Sequence, residues 1–169
     1  MQSSFMKKMY EINSYPMSEL VPLITDFINE DKEVVFTARG NSMRPLLRDG
    51  KDQLILASTK EKNIGKGDVV LYKRENGTYV AHRILDVAPD GSFTMLGDAQ
   101  FDIEKGIRPD QIIAVASGFI IRGKEKSVNS KCYRKYVKFW KKSKHIKKLY
   151  LKFFYKWLSI KEKIKKQRD

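Results

Sequence analysis

Cysteine is nearly absent from this sequence, and histidine is scarce. The 169 residues include one cysteine, Cys132, and two histidines, His82 and His145. A single cysteine excludes a disulfide within the chain and a metal site built from several thiolates. Two histidines are too few for a histidine-rich metal site. We therefore predict neither a metal nor another cofactor.

Long apolar runs are missing as well. No stretch reaches the roughly 20 apolar residues that a membrane-spanning helix needs. Residues 1–33 contain no apolar segment of the kind found in signal peptides. We therefore expect a cytoplasmic chain.

Acidic residues are almost absent from the C-terminal segment. Residues 131–169 carry 16 lysines and arginines against two acids, Glu162 and Asp169, so this segment holds the whole net charge of +14. Residues 1–130 contain 18 basic and 18 acidic residues and are neutral. The asymmetry predicts a neutral folded part and a basic tail with a separate role.

Apolar spacing predicts the organisation of the chain. Helical spacing precedes a series of short apolar segments that are joined by turns such as Asn76-Gly77, and helical spacing then returns. Short strands with tight turns predict a mainly β fold, with an antiparallel sheet. We place the strands at 34–36, 54–56, 68–73, 79–87, 92–96 and 112–121. The predicted parts are an N-terminal segment with one helix (1–32), a β catalytic domain (33–123) and a basic aromatic helical tail (124–169).

Three polar residues suggest the chemistry of the β domain. Ser42 follows Gly40 in a turn, where its hydroxyl would be exposed. A serine needs a base to become a nucleophile, and His82 is the only histidine outside the tail. A carboxylate that orients the imidazole would complete the set, and Asp98 follows the next predicted strand.

Four motifs in a fixed order resemble those of the signal peptidase I and LexA-like peptidase superfamily. They are Ser42-Met43-Arg44-Pro45, Gly67-Asp68-Val69-Val70, Ala81-His82-Arg83-Ile84 and Leu96-Gly97-Asp98. The resemblance covers about residues 33–120. Histidine at the base position is similar to the Ser–His branch of this group rather than to its Ser–Lys members.

The resemblance implies a serine endopeptidase with a defined set of roles. Ser42 would be the nucleophile, His82 the base and Asp98 the orienting acid, with Asp102 as the alternative acid. The backbone N–H of Ser42 would hold the oxyanion, and the side-chain amide of Asn41 is a second candidate donor. Met43 and Pro45 would contact the substrate.

The sequence departs from the family pattern in several places. Gly40 stands where signal peptidases usually carry a hydroxyl residue, and residues 99–104 lack the usual asparagine-rich form. Neither an N-terminal membrane anchor nor a DNA-binding helix-turn-helix is visible. We therefore expect specialised processing of a leader or signal-like peptide. The alternatives are a catalytically weak module that binds or tethers a peptide and a LexA-like self-cleaving regulator.

The basic tail combines lysines with aromatic side chains. Nine of the 19 aromatic residues lie in residues 131–169. An amphipathic helix of this composition suits an anionic membrane surface, which predicts peripheral attachment. Binding of nucleic acid through phosphate contacts and packing of the apolar face on the β domain are the other two interpretations.

Overall fold

The structure is a computed structural model that describes residues 17–60, 62–142 and 144–166. It divides the chain into two compact units, one ending at Ser130 and the other beginning at Lys131. The first unit is mainly antiparallel β with one N-terminal helix, and the second is helical, so the predicted class is confirmed at this level. Residues 1–16 of the predicted N-terminal segment lie outside the described residues.

The elements follow one another as the apolar spacing predicts, with two additions. The first unit consists of α1 (Met17–Asn29), β1 (Val34–Thr37), β2 (Gln53–Ala57), β3 (Val69–Lys73), β4 (Tyr79–Val87), β5 (Phe93–Leu96), β6 (Glu104–Ile107), a 3-10 turn (Pro109–Gln111), β7 (Ile112–Ile121) and β8 (Lys124–Ser127). The second consists of α2 (Lys131–Lys142) and α3 (Lys144–Lys166).

All strand pairs of the sheet are antiparallel. The order is β1-β2-β7-β3-β4-β5-β6, and β8 pairs with β7. The two strands that the sequence did not predict, β6 and β8, read Glu-Lys-Gly-Ile and Lys-Glu-Lys-Ser. Charged residues and glycine have low strand propensity, so these segments become strands only because a neighbouring strand offers them hydrogen bonds. The sheet therefore continues past residue 123 to Ser127.

The hairpin between β3 and β4 forms at the predicted Asn-Gly turn. Gly77 has φ +82°, a left-handed conformation that side chains disfavour. The N–H of Arg74 donates to the carbonyl of Thr78 at 2.8 Å and closes the turn. This turn fixes the register in which Val70 faces His82.

Apolar residues of the central strands form the core around the candidate site. One cluster contains Val70, Tyr72, Ile84, Phe93, Met95, Ile107 and Val115, all buried. Helix α1 buries Leu20, Ile24 and Ile28, which lie at helical spacing, and it contacts β1 and β7. The strands that carry His82 and its neighbours are therefore held on a closely packed support.

Aromatic side chains join the two helices of the second unit. The rings of Tyr136 and Trp140 are stacked, Trp140 meets Tyr150 edge to face at 5.7 Å between centroids, and Tyr150 stacks on Phe154. Such pairs add to the free energy of apolar burial. None of the described helices is both long and apolar enough to cross a bilayer.

A buried carboxylate fixes the segment that follows Ser42. Asp52 accepts hydrogen bonds from Nε and Nη2 of Arg48 at 2.9 and 2.7 Å, and from the backbone N–H groups of Arg48 and Arg122 at 2.8 and 3.0 Å. Burial opposes ionisation of Asp52, but these hydrogen bonds outweigh it and lower its pKa to about 2. Asp52 thereby ties the end of the Ser42 loop to the hairpin between β7 and β8.

We expect Asp52→Asn to lower the free energy of unfolding at pH 7 by about 2 kcal/mol, because the pKa of Asp52 lies nearly two pH units below its ordinary value. The contribution of this carboxylate is complete above the ordinary pKa of 3.8 and is lost as the pH falls through about 2. Urea denaturation at pH 7 and at lower pH values would measure both effects. Asp102→Asn, which changes an exposed carboxylate, is the control, and equal losses in the two variants would contradict the prediction.

Candidate active site

Ser42 lies in the turn between β1 and β2 and is half-buried. The loop is fixed on both sides of it. The N–H of Gly40 donates to Oδ1 of Asp49 at 2.9 Å, and the N–H of Leu47 donates to the carbonyl of Met43 at 3.0 Å. Within the described part of the chain, neither the N–H nor the hydroxyl of Ser42 has a hydrogen-bond partner. Both groups are therefore available to a substrate.

A mainly apolar cavity of about 120 Å³ opens beside Ser42. Met43, which the sequence analysis assigned to substrate contact, is buried and lines this cavity together with Leu71 and Ala81. Pro45 is half-buried and follows a cis peptide bond with Arg44. The cavity can hold a small apolar group next to the Ser42 hydroxyl.

Asn41, the second predicted oxyanion donor, is half-buried next to Ser42. Its Oδ1 accepts a hydrogen bond from Nε of Arg44 at 2.8 Å. Because this bond uses the oxygen of the amide, the NH₂ group is the end that can donate to a substrate. The role of Asn41 as an oxyanion donor stays a prediction.

The backbone of Ser42 lies directly against the segment after β5. Its carbonyl accepts a hydrogen bond from the N–H of Ala99 at 2.7 Å. A Cβ atom at Gly97 would lie 2.8 Å from the same carbonyl and would also clash with Oε1 of Gln100. The absence of a side chain at Gly97 is therefore what allows this close approach.

The strand register places His82 beside this contact. Leu96, the last residue of β5, pairs with Arg83, so continuation of this antiparallel register by one residue would set Gly97 beside His82. Cross-strand neighbours present their side-chain positions on the same face of a sheet. The vacant Cβ position of Gly97 points at the Ser42 carbonyl, so we expect the Ser42 loop on the face to which His82 points.

His82 is 1% exposed and sits among polar groups that belong to two other strands. Its Nδ1 lies 3.1 Å from Oε1 of Glu104 on β6 and 3.2 Å from the hydroxyl of Tyr72 on β3. Burial lowers the pKa of His82 below its ordinary value, and the nearby Glu104 carboxylate opposes this shift without reversing it. His82 is therefore neutral at pH 7.

The carboxylate of Glu104 decides which ring nitrogen of His82 can act as a base. An ionised carboxylate only accepts hydrogen bonds, so the proton of the neutral ring belongs on Nδ1. The lone pair then lies on Nε2. This is the tautomer that a general base next to a serine requires.

Glu104 is kept ionised by its own partners. Nε and Nη2 of Arg74 donate to its two oxygens at 2.8 and 2.5 Å, and the hydroxyl of Tyr72 donates to Oε2 at 3.0 Å. Burial opposes ionisation, but the hydrogen bonds from Arg74 and Tyr72 outweigh it and lower the pKa of Glu104. Burial raises the pKa of Tyr72, and the Glu104 charge adds to that shift, so the phenol stays protonated.

Asp98 and Asp102, the two acids predicted to orient His82, have partners or positions that differ from that role. The oxygens of Asp98 accept hydrogen bonds from Nε and Nη2 of Arg83 at 2.8 and 2.6 Å, and this pair is buried. Asp102 is exposed in the loop before β6. The geometry favours Glu104 as the group that orients His82, a role that the sequence motifs did not predict for it. The only sequence signal was a further acid in the stretch after Gly97-Asp98.

No protein family matches the chain, and no curated protein matches it either. The resemblance to the signal peptidase and LexA-like group stays a prediction based on the four motifs. Among the described residues, no group of three or more histidine, cysteine or acidic side chains is placed to hold a metal ion.

We expect the imidazole of His82 to titrate below pH 6.5 in the folded protein, and Glu104→Gln to lower its pKa further by removing the negative charge that favours imidazolium. The pKa of His82 is higher in the unfolded chain than in the folded protein. The contribution of His82 to the free energy of unfolding of the wild type is therefore lost as the pH falls below about 6.5. NMR titration of the ring measures the pKa. Asp102→Asn is the matched control, and an increase of the His82 pKa in Glu104→Gln would refute the arrangement.

We expect Gly97→Ala to separate the Ser42 loop from β5, because the new methyl group would meet a backbone carbonyl that cannot rotate away. Hydrogen exchange of the Ala99 amide should accelerate at least about tenfold while the sheet stays folded. Gly65→Ala is the control, since a Cβ there meets nothing within 4 Å. Unchanged protection of Ala99 in Gly97→Ala would count against the close approach.

Proposed function

We propose that this protein is a serine endopeptidase of the signal-peptidase-like type that cleaves a leader or signal-like peptide. Ser42 is the nucleophile, His82 is the general base, and Glu104 orients His82 and stabilises its charged form. The proposal does not need a metal or a cofactor.

Each step has a group assigned to it. Nε2 of His82 takes the proton from Ser42 as its Oγ attacks the scissile carbonyl, and the backbone N–H of Ser42 donates to the oxyanion. The imidazolium that forms is stabilised by the Glu104 carboxylate, 3.1 Å from Nδ1. His82 then protonates the leaving amine, and water hydrolyses the acyl-enzyme by the same proton transfers in reverse.

One observation supports this function most strongly. A histidine that is 1% exposed has Nδ1 against a carboxylate, and the carbonyl of the candidate serine accepts the N–H of Ala99 in the segment that follows β5, the strand paired with that of His82. A buried histidine could be merely structural, but a structural role does not require the paired carboxylate and the unpartnered serine hydroxyl together. A neutral buried imidazole of fixed tautomer suits general-base catalysis near pH 7.

A peptide-binding module without turnover is the second candidate. It is favoured by the fact that, within the described residues, the Ser42 hydroxyl makes no hydrogen bond to His82. In peptidases this bond often tightens only when substrate binds, so cleavage assays are needed to separate the two functions.

We expect the wild type to cleave leader-type peptides and Ser42→Ala to lose at least about 10³-fold in kcat. Glu104→Gln should lose about 10²- to 10⁴-fold, because the tautomer is no longer enforced. Cleavage of a peptide library followed by mass spectrometry measures these rates. Ser159→Ala, Asp102→Asn and His145→Ala are matched controls at exposed positions, and they should cleave like the wild type.

The remaining outcomes separate the alternatives. Cleavage that survives Ser42→Ala would disprove the assignment of the nucleophile. Binding of a peptide that is never cut, with no labelling of Ser42 by a serine-reactive phosphonate, would establish the binding module. Asp98 would be the orienting acid if Asp98→Asn lost cleavage while Arg83 kept its position and Glu104→Gln kept full activity.

A further inference from the structure

Exposed apolar side chains are concentrated on the helical unit. Among the described residues, seven of the eleven exposed large hydrophobic side chains belong to residues 131–169. Five of these seven lie on one line of α3 and are between 49% and 64% exposed: Ile146, Leu149, Phe153, Trp157 and Ile160. A contiguous apolar surface of this kind marks an interaction site.

These five residues, which we name the α3 stripe, share one face of the helix. Their spacings of 3, 4, 4 and 3 residues keep them on one side over four turns. The first four of them line an open apolar hollow together with Tyr150 and Phe154. The stripe contains aliphatic as well as aromatic side chains.

A row of lysines runs beside the α3 stripe. Lys148, Lys152 and Lys156 are exposed and follow one another at four-residue spacing, which keeps them on one face. Lys163 continues the exposed basic surface. Lys148, Lys152 and Lys156 each precede a stripe residue, which turns the lysine row by about 100° around the helix from the stripe, so the cationic row borders the apolar one. The partner that fits has negative charges at the edge of an apolar layer.

Two other partners fit this combination less well. A nucleic acid would satisfy the lysines through its phosphates, and bases could stack on Phe153 and Trp157, but the aliphatic side chains would gain no partner. A second copy of α3 would cover the stripe but would bring two rows of lysines together, which is unfavourable. An anionic lipid surface satisfies both the charges and the apolar side chains.

We propose that the α3 stripe docks on anionic lipid membranes, with the helix lying in the plane of the surface. The stripe residues enter the boundary between headgroups and acyl chains, while Lys148, Lys152 and Lys156 contact the phosphates. This proposal does not depend on peptidase activity, because the binding is measured without a peptide substrate.

The test is co-sedimentation of the full chain with vesicles of phosphatidylcholine, with and without phosphatidylglycerol. The wild type should bind only the vesicles that contain phosphatidylglycerol. Lys148→Gln, Lys152→Gln and Lys156→Gln combined should weaken binding about 100-fold. The triple change of Lys51, Lys60 and Lys105 to Gln, which removes the same charge from exposed positions of the β unit, should change it much less.

The apolar part of the proposal has its own pair of variants. Leu149→Ser with Phe153→Ser should weaken binding at least about tenfold, because two partly exposed apolar side chains no longer enter the lipid. Tyr155→Ser is the control, since Tyr155 is 48% exposed but lies on the other side of the helix. Circular dichroism of each variant checks that the helices remain folded.

Three outcomes would overturn the proposal. The first is binding to anionic vesicles that is unaffected by the stripe variants, or no vesicle binding at all. The second is a concentration-dependent dimer, without vesicle binding, that Leu149→Ser with Phe153→Ser dissociates. The third is salt-sensitive binding to duplex DNA or to RNA that the same variants abolish while vesicles are not bound.

Discussion

The contact between the Ser42 carbonyl and the segment after β5 is the constraint on which the candidate site depends. The carbonyl receives the N–H of Ala99 at 2.7 Å, and a side chain at Gly97 would occupy the same space. Because Gly97 follows the strand that pairs with β4, this one contact joins the loop of the serine to the strand of His82. The Ser42 loop therefore keeps this contact only while residue 97 has no side chain.

Two arginine–carboxylate ion pairs lie close to His82, and in each pair the arginine neutralises the charge of one carboxylate. Successive residues of a strand point to opposite faces, so the side chains of His82 and Arg83 extend to different sides of β4. Arg83 holds Asp98, and Arg74 holds Glu104. Each of these charges is thus compensated by its partner, while the imidazole of His82 stays neutral and has the Glu104 carboxylate 3.1 Å from Nδ1. That balance keeps the side chain of His82 from being permanently charged.

The two units of the chain follow different physical rules. The β unit buries its apolar residues and pairs its buried charges, and its net charge is zero. The helical unit leaves the α3 stripe exposed beside a row of exposed lysines. The notable feature of the β unit is thus a polar network inside the fold, and that of the helical unit is an apolar and cationic surface outside it.

The sequence by itself determined the antiparallel β class, most strand positions, the basic tail, and Ser42 and His82 as the candidate pair. These properties follow from local spacing and from composition, which a linear chain displays directly. The tertiary structure alone decided that Glu104 contacts His82 and that Asp98 pairs with Arg83. It also decided that residues 104–107 and 124–127 form strands. Those outcomes depend on pairing between distant segments. Which carboxylate meets which cation is decided by strand register, and no local pattern encodes the register of strands separated by a loop.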